Sequence, residues 1–157
     1  MKGRTITLVL AMLFASGAVW AQQQNPHFGT WKANLGKSTY SPGPPPKATT
    51  TKLEPWGDDG VKTTTEGVDA QGNKTRAEYS AKYDGKDYSI TGSPNFDKAA
   101  LKRIDDYTTL LINKKDGNVV RLMKQTVSKD GKTRTSASVG VTAKGEAFHN
   151  VTVFDKQ

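Results

Sequence analysis

The sequence predicts an all-β fold, an antiparallel meander of about 8–10 strands closed into a barrel. Three observations lead there. First, residues 22–157 hold no amphipathic helix; runs rich in Thr, Val, Tyr and Ser alternate with Gly and Asp pairs, the pattern of strands and turns. Second, Ala77 to Tyr83 alternates strictly. Ala77, Tyr79, Ala81 and Tyr83 share one face, and Arg76, Glu78, Ser80 and Lys82 share the other, as in a half-buried strand. Third, the turns repeat. Val68–Asn73, Val127–Lys132 and Val141–Glu146 all read Val-x-x-x-Gly-polar, and Asp59-Gly60, Asp84-Gly85 and Asp116-Gly117 mark three more. An open sheet of this size would leave a large apolar face and two edges unpaired, which closure removes.

The elements follow in order. Met1-Lys2-Gly3-Arg4 is basic, Thr5 to Trp20 is mostly apolar, and Val19-Trp20-Ala21 puts small or apolar residues at the positions before a cut that a signal peptidase reads. Residues 1–21 are therefore expected to be a signal peptide cut after Ala21, giving a periplasmic or secreted product. The apolar run is short against the roughly 20 residues of a membrane span, and polar Gln22-Gln23-Gln24 follows it. No second apolar stretch is long enough to cross a bilayer, so no stable span is expected after the leader is removed. The chain has no cysteine, which excludes both disulfides and a lipid-modified N-terminal Cys. Residues 22–157 are expected to form one domain.

Strands are predicted at 29–35, 47–56, 60–67, 74–83, 86–91, 98–104, 107–113, 118–127, 132–141 and 146–155. Residues 40–46, Tyr-Ser-Pro-Gly-Pro-Pro-Pro, read as a stiff connection after the first strand, because proline cannot donate to a ladder. Two arrangements of the faces are open. Thr49, Thr51 and Leu53, then Val61, Thr63 and Thr65, then Thr133, Thr135, Ala137, Val139 and Val141 point inward and leave a cavity between small side chains. Alternatively the threonines face water, and Lys52, Lys62 and Arg134 point inward at a pore mouth.

Gly29-Thr30-Trp31-Lys32, opening the first strand, resembles the start of the calycin superfamily: lipocalins, fatty-acid-binding proteins and avidins. Val151 to Lys156 also looks like the closing strand of the fatty-acid-binding proteins. The resemblance implies a calycin-like barrel with Phe28, Gly29 and Trp31 as plug residues at its closed end. It does not carry the carboxylate clamp of that family, an Arg-x-Tyr pair on the last strand, because this last strand holds Thr152 and Phe154. The two lid helices do not carry over either, since the Pro-rich segment stands in their place. The opening Gly-Thr-Trp-Lys, with Lys82-Tyr-Asp-Gly-Lys-Asp-Tyr88, is also similar to a group of uncharacterised secreted bacterial proteins.

Little in the chain points to catalysis. His27 and His149 are the only histidines, no carboxylates lie at metal-ligand spacing, and the adjacent pairs Asp58-Asp59 and Asp105-Asp106 point to opposite faces of a strand. No phosphate loop or nucleophile elbow occurs. The expectation is a protein without catalytic residues, metal or cofactor. Its first functional reading is a barrel holding a small apolar or amphipathic ligand against Tyr79, Tyr83, Tyr88, Leu101, Leu111, Met123 and Val139. The second starts from a net charge of +8, with Lys2 and Arg4 in the leader. On that reading an outer surface of Lys102-Arg103, Lys114-Lys115, Arg121 and Lys124 contacts an anionic envelope polymer. Nucleic acid is not expected, because no platform of aromatic and basic strand residues is evident.

Overall fold

The computed structural model describes residues 25–157, and the leader expected at 1–21 lies outside them. Eleven strands form one antiparallel sheet: β1 (Gly29–Ala33), β2 (Thr39–Ser41), β3 (Ala48–Pro55), β4 (Gly60–Val68), β5 (Lys74–Lys82), β6 (Asp84–Thr91), β7 (Lys98–Asp105), β8 (Thr108–Lys115), β9 (Asn118–Val127), β10 (Thr133–Val141) and β11 (Ala147–Lys156). One 3-10 turn, Leu35–Lys37, separates β1 from β2. No helix among the described residues is long and apolar enough to cross a membrane.

β3 to β11 follow one another as a meander, and β1 pairs with both β3 and β11, which closes the ring. β2 stands in line with β1: β11 binds β1 through Phe154, Asp155 and Lys156, and β2 through His149, Asn150 and Val151. The eleven strands therefore occupy ten places around the barrel; the first predicted strand, 29–35, covers β1, and β2 falls outside every predicted strand. The stretch expected to be a free connection at 40–46 begins as strand, because Tyr40 pairs with Asn150 and the Asn150 amide oxygen accepts from Ser41 N at 3.1 Å. The weakest seam lies between β5 and β6, joined only at Glu78–Thr91 and Tyr79–Ile90. The barrel is thus nearly, not uniformly, closed.

Side chains alternate inward and outward around this ring. Thr51, Leu53, Val61 and Thr63 are buried, so β3 and β4 turn the expected threonine face inward. Lys52 and Lys62 point outward, where they pair with Glu54 at 2.8 Å and Glu78 at 3.1 Å. β10 does the opposite. Arg134, Ser136 and Ser138 are buried, while Val139 is 53% exposed and Val141 43% exposed. The expected inward face Thr133, Thr135, Ala137, Val139, Val141 is therefore corrected to the outer face.

The cause is a one-residue difference between look-alike turns. Gly72, Gly131 and Gly145 all take positive φ, and each donates its N–H to the carbonyl three residues back, on Asp69, Ser128 and Thr142. Beyond that point they diverge. The first and third turns pair Val68 with Lys74 and Val141 with Ala147, six residues on. The middle turn pairs Val127 with Arg134, seven residues on. Its extra residue is Lys132, whose carbonyl accepts from Lys156 N on β11 at 2.9 Å, while Ser128 Oγ accepts from Thr133 N at 3.0 Å. Because strand side chains alternate with period two, a slip of one turns the whole strand over.

Gly140 sits on the corrected inner face of β10. A Cβ there would run into the Val120 carbonyl and the Phe148 ring. Gly140→Ala is expected to lower stability by about 1–3 kcal/mol through overpacking, read as a lower midpoint in urea. An unchanged midpoint would mean that Phe148 does not close over this strand.

Candidate functional site

One end of the barrel is solid. Trp31, fully buried, packs with Leu53, Val61, Ala81, Ala99, Leu101, Leu111, Val127 and Phe154. Its indole N–H donates to the His27 carbonyl at 2.8 Å, and the Lys156 ammonium lies 5.0 Å from the ring. Phe28 packs partly buried against this cluster. Gly29 pairs with Leu53, and a Cβ on it would meet the Lys156 side chain at 2.9 Å. Leu101 and Leu111 face each other across β7 and β8 inside this cluster. They fill the end of the barrel rather than lining a space.

Above this floor the wall turns polar. Thr51, Thr63, Thr109, Asn113, Gln125, Arg134, Ser136 and Ser138 are all buried. Tyr79 is paired with Thr63 and Ile90, and burial pushes its phenol pKa up. Tyr83 accepts from Asn25 Nδ2 at 3.2 Å, with the Arg103 guanidinium stacked 4.2 Å from its ring; burial raises this phenol as well. Met123, partly buried, accepts from Gln125 Nε2 at 3.2 Å. Of the other two candidates, Tyr88 pairs with buried Ala99 and packs partly buried against the core cluster, so it keeps the inner face, and Val139 does not. The Tyr88 hydroxyl donates to the exposed Asp84 carboxylate at 3.0 Å, and its ring meets Trp56 edge-on. Val139 belongs to the outer wall, for the register reason above.

The strongest feature of this wall is its two arginines; the sequence reading turns Arg134 inward only in its second arrangement of the faces, and places Arg121 on the outer surface. Arg134, 2% exposed, lies near the floor, with its guanidinium 5.7 Å from the Phe154 ring. Its Nε has no hydrogen-bond partner among the described residues, and neither do Ser136 Oγ, Thr63 Oγ1 and both ring nitrogens of His27. Arg121, less enclosed, lies toward the opposite end. Asn113 Oδ1 accepts from its Nε at 2.9 Å and from one terminal nitrogen at 2.6 Å, and Phe96 of the β6–β7 connection covers it at 4.2 Å. Neither arginine takes part in an ion pair among the described residues. Burial lowers both guanidinium pKa values to about 10, so both stay charged at neutral pH.

A desolvated cation without a counter-charge is costly, and natural cores seldom hold one. Arg134→Met, which keeps length and removes charge, is expected to raise stability by on the order of 1 kcal/mol or more, seen as a higher urea midpoint. The hairpin register explains the inward face of this residue, since whatever stands opposite Val127 across the turn must share its face. Arg121 also leaves the basic outer surface on which the sequence reading had placed it.

The concave features on the outside are of another kind. A groove of about 260 Å³ runs over β3 to β5, between Lys52, Glu54, Lys62, Glu66, Arg76 and Glu78. Arg76 bridges Glu66 and Glu78, so the charges of this wall are mutually satisfied. A second concavity of about 560 Å³ adjoins it at the β4–β5 hairpin. Neither lies inside the barrel. Among the described residues no cluster of three His, Asp or Glu side chains is placed to hold a metal.

No protein-family model and no curated protein sequence matches this chain. Among solved structures it is similar to a redesigned beta barrel, mFAP1, bound to DFHBI, at 13% identity and a TM-score of 0.42, covering 83% of this chain and 95% of that one.

Proposed function

We propose that this chain is an exported, non-catalytic barrel that holds a small amphipathic anion in its interior. The observation that carries the reading is the pair of inward arginines, Arg121 and Arg134, charged and without a carboxylate partner. A bound anion would supply the missing counter-charge, and the unpartnered Arg134 Nε and Ser136 Oγ would gain a hydrogen-bond acceptor. Thr63, Tyr79 and Met123 give the polar and apolar surface that an amphipathic body needs. The calycin-like assignment is supported by the Gly29-Thr30-Trp31-Lys32 opening together with a near-closed antiparallel barrel. Export is supported by the leader-like composition of residues 1–21.

The polymer-binding alternative has less support. Of its proposed cations, Arg121 faces inward, Arg103 pairs with Asp59 at 3.3 Å, and Lys114 pairs with Asp87 at 2.8 Å. The test is native mass spectrometry of protein purified gently from its own cell envelope. A small anionic adduct, absent after denaturation and refolding, is the expected result. Adduct-free protein whose melting temperature no anionic amphiphile raises would overturn the reading.

A further inference from the structure

We propose that the outer wall of β8–β10 docks on an anionic phospholipid surface. The wall is separate from the interior site and does not depend on it. Register builds it. Ile112 on β8 stands opposite Leu122 on β9, and Leu122 stands opposite Val139 on β10. Their neighbours Leu111 and Ser138 are buried, so these three point away from the core. Val141 continues the same face two residues on. Leu122 is 42% exposed, and Val119, beyond the bulge opposite Lys114, is 53% exposed. Single exposed apolar residues are ordinary, whereas a contiguous row on one sheet face marks an interaction surface.

The charge beside this row has one sign. Strands β8 to β11 carry a single carboxylate, Asp155, at the far end of β11, where Asn34 Nδ2 donates to it at 2.7 Å and Lys37 lies at 3.8 Å. Lys124 stands between Leu110 and Ala137 in the adjoining row, and Lys102 lies opposite Leu110 on β7. Neither lysine takes part in an ion pair among the described residues. Lys114 is held by Asp87, and the turns at the other end carry Asp116 and Glu146, so the cationic border is the Lys102–Lys124 row. The β3–β5 wall differs, because Glu54 and Glu78 answer its lysines. An apolar strip bordered by unanswered lysines fits the boundary between acyl chains and headgroups: the aliphatic side chains enter, and the ammoniums meet lipid phosphates. A second copy of the chain fits less well. A two-fold partner would bring another lysine border with no carboxylate to answer the first, and the wall lies in mid-sheet, with no free strand edge to extend.

The test is flotation of the exported protein with vesicles of phosphatidylglycerol and phosphatidylethanolamine, against vesicles of phosphatidylcholine alone. The expected result is binding to the anionic vesicles only, weakened as salt is raised. Leu122→Ser combined with Val139→Ser should weaken that binding at least about tenfold, and Lys124→Glu should weaken it several-fold. All three positions are exposed, so both variants should melt where the parent does. Lys52→Gln on the β3–β5 wall should bind as the parent does. No binding to anionic vesicles, or binding that both wall variants retain, would overturn the proposal. Absence of vesicle binding together with a dimer that the double variant dissociates in sedimentation velocity would also overturn it, and would reassign the wall to a second copy. None of these variants touches Arg121 or Arg134, so an interior anion adduct would survive each of these outcomes.

Discussion

Trp31→Ala is expected to lower the unfolding free energy by about 3–5 kcal/mol, the usual cost of deleting a fully buried indole. Trp31 has no exposed surface and touches the heart of the floor cluster. Its strand is also where the ring closes, since Trp31 pairs with Thr51 on β3 and with Lys156 on β11. The substitution thus opens a cavity at the seam and removes the donor to the His27 carbonyl. Trp31→Phe separates the two effects: it keeps most of the apolar volume and loses only the hydrogen bond, so its cost should be nearer 1 kcal/mol. Urea unfolding followed by circular dichroism measures both. If Trp31→Ala unfolds at the parent midpoint, Trp31 does not hold the closed end.

Acidification from pH 7 to pH 4 is expected to remove about 3 kcal/mol of stability through one residue, His27. Burial is the main reason its pKa is lowered to about 4, and the charges of Arg134 and Arg103 lower it further. The Tyr107 carbonyl and the Asp105 carboxylate act in the opposite direction, and are outweighed. The folded pKa lies below the unfolded value near 6.5, so the folded state binds fewer protons across the interval between them. The contribution is complete above pH 6.5 and is lost as the pH falls toward 4. Asp69, Glu78, Asp84, Asp105 and Asp130 also titrate below their ordinary values, which puts their effect at lower pH. Urea midpoints measured from pH 7.5 to 4 on the parent and on His27→Leu give the test. The parent should fall steeply and the variant should stay nearly flat. Equal slopes would assign the loss to another group.

The position of His27 also bears on the proposed ligand. An anion beside Arg134 would lie within the field that keeps His27 neutral, and would weaken it. Binding should therefore raise the His27 pKa and take up protons near pH 5, which calorimetry in buffers of different ionisation enthalpy detects. Proton uptake that is absent in the parent, while binding is retained, would place the anion away from the floor.

Much of the fold is legible in local pattern. Period-two alternation marks Ala77 to Tyr83 as strand, and Asp116-Gly117, both at positive φ, form the expected tight turn between β8 and β9. The inward threonines of β3 and β4 follow from the same alternation, because the apolar partners Leu53 and Val61 on their faces identify the buried side. β10 has no such guide. Its inner face is Arg134, Ser136, Ser138 and Gly140, and its outer face carries Val139 and Val141. Hydrophobicity alone therefore selects the wrong side.

By itself, then, the sequence determined the class of fold and the approximate strand and turn positions. These depend on contacts between near neighbours and on backbone preferences of Gly, Pro and Asp. Only the tertiary structure decided which way β10 faces. That choice rests on Lys132, whose carbonyl bonds across to Lys156 on β11 and lengthens the turn by one residue. With it came the inward Arg134, because a strand displaced by one position in a closed barrel exchanges its whole inner face for its outer one.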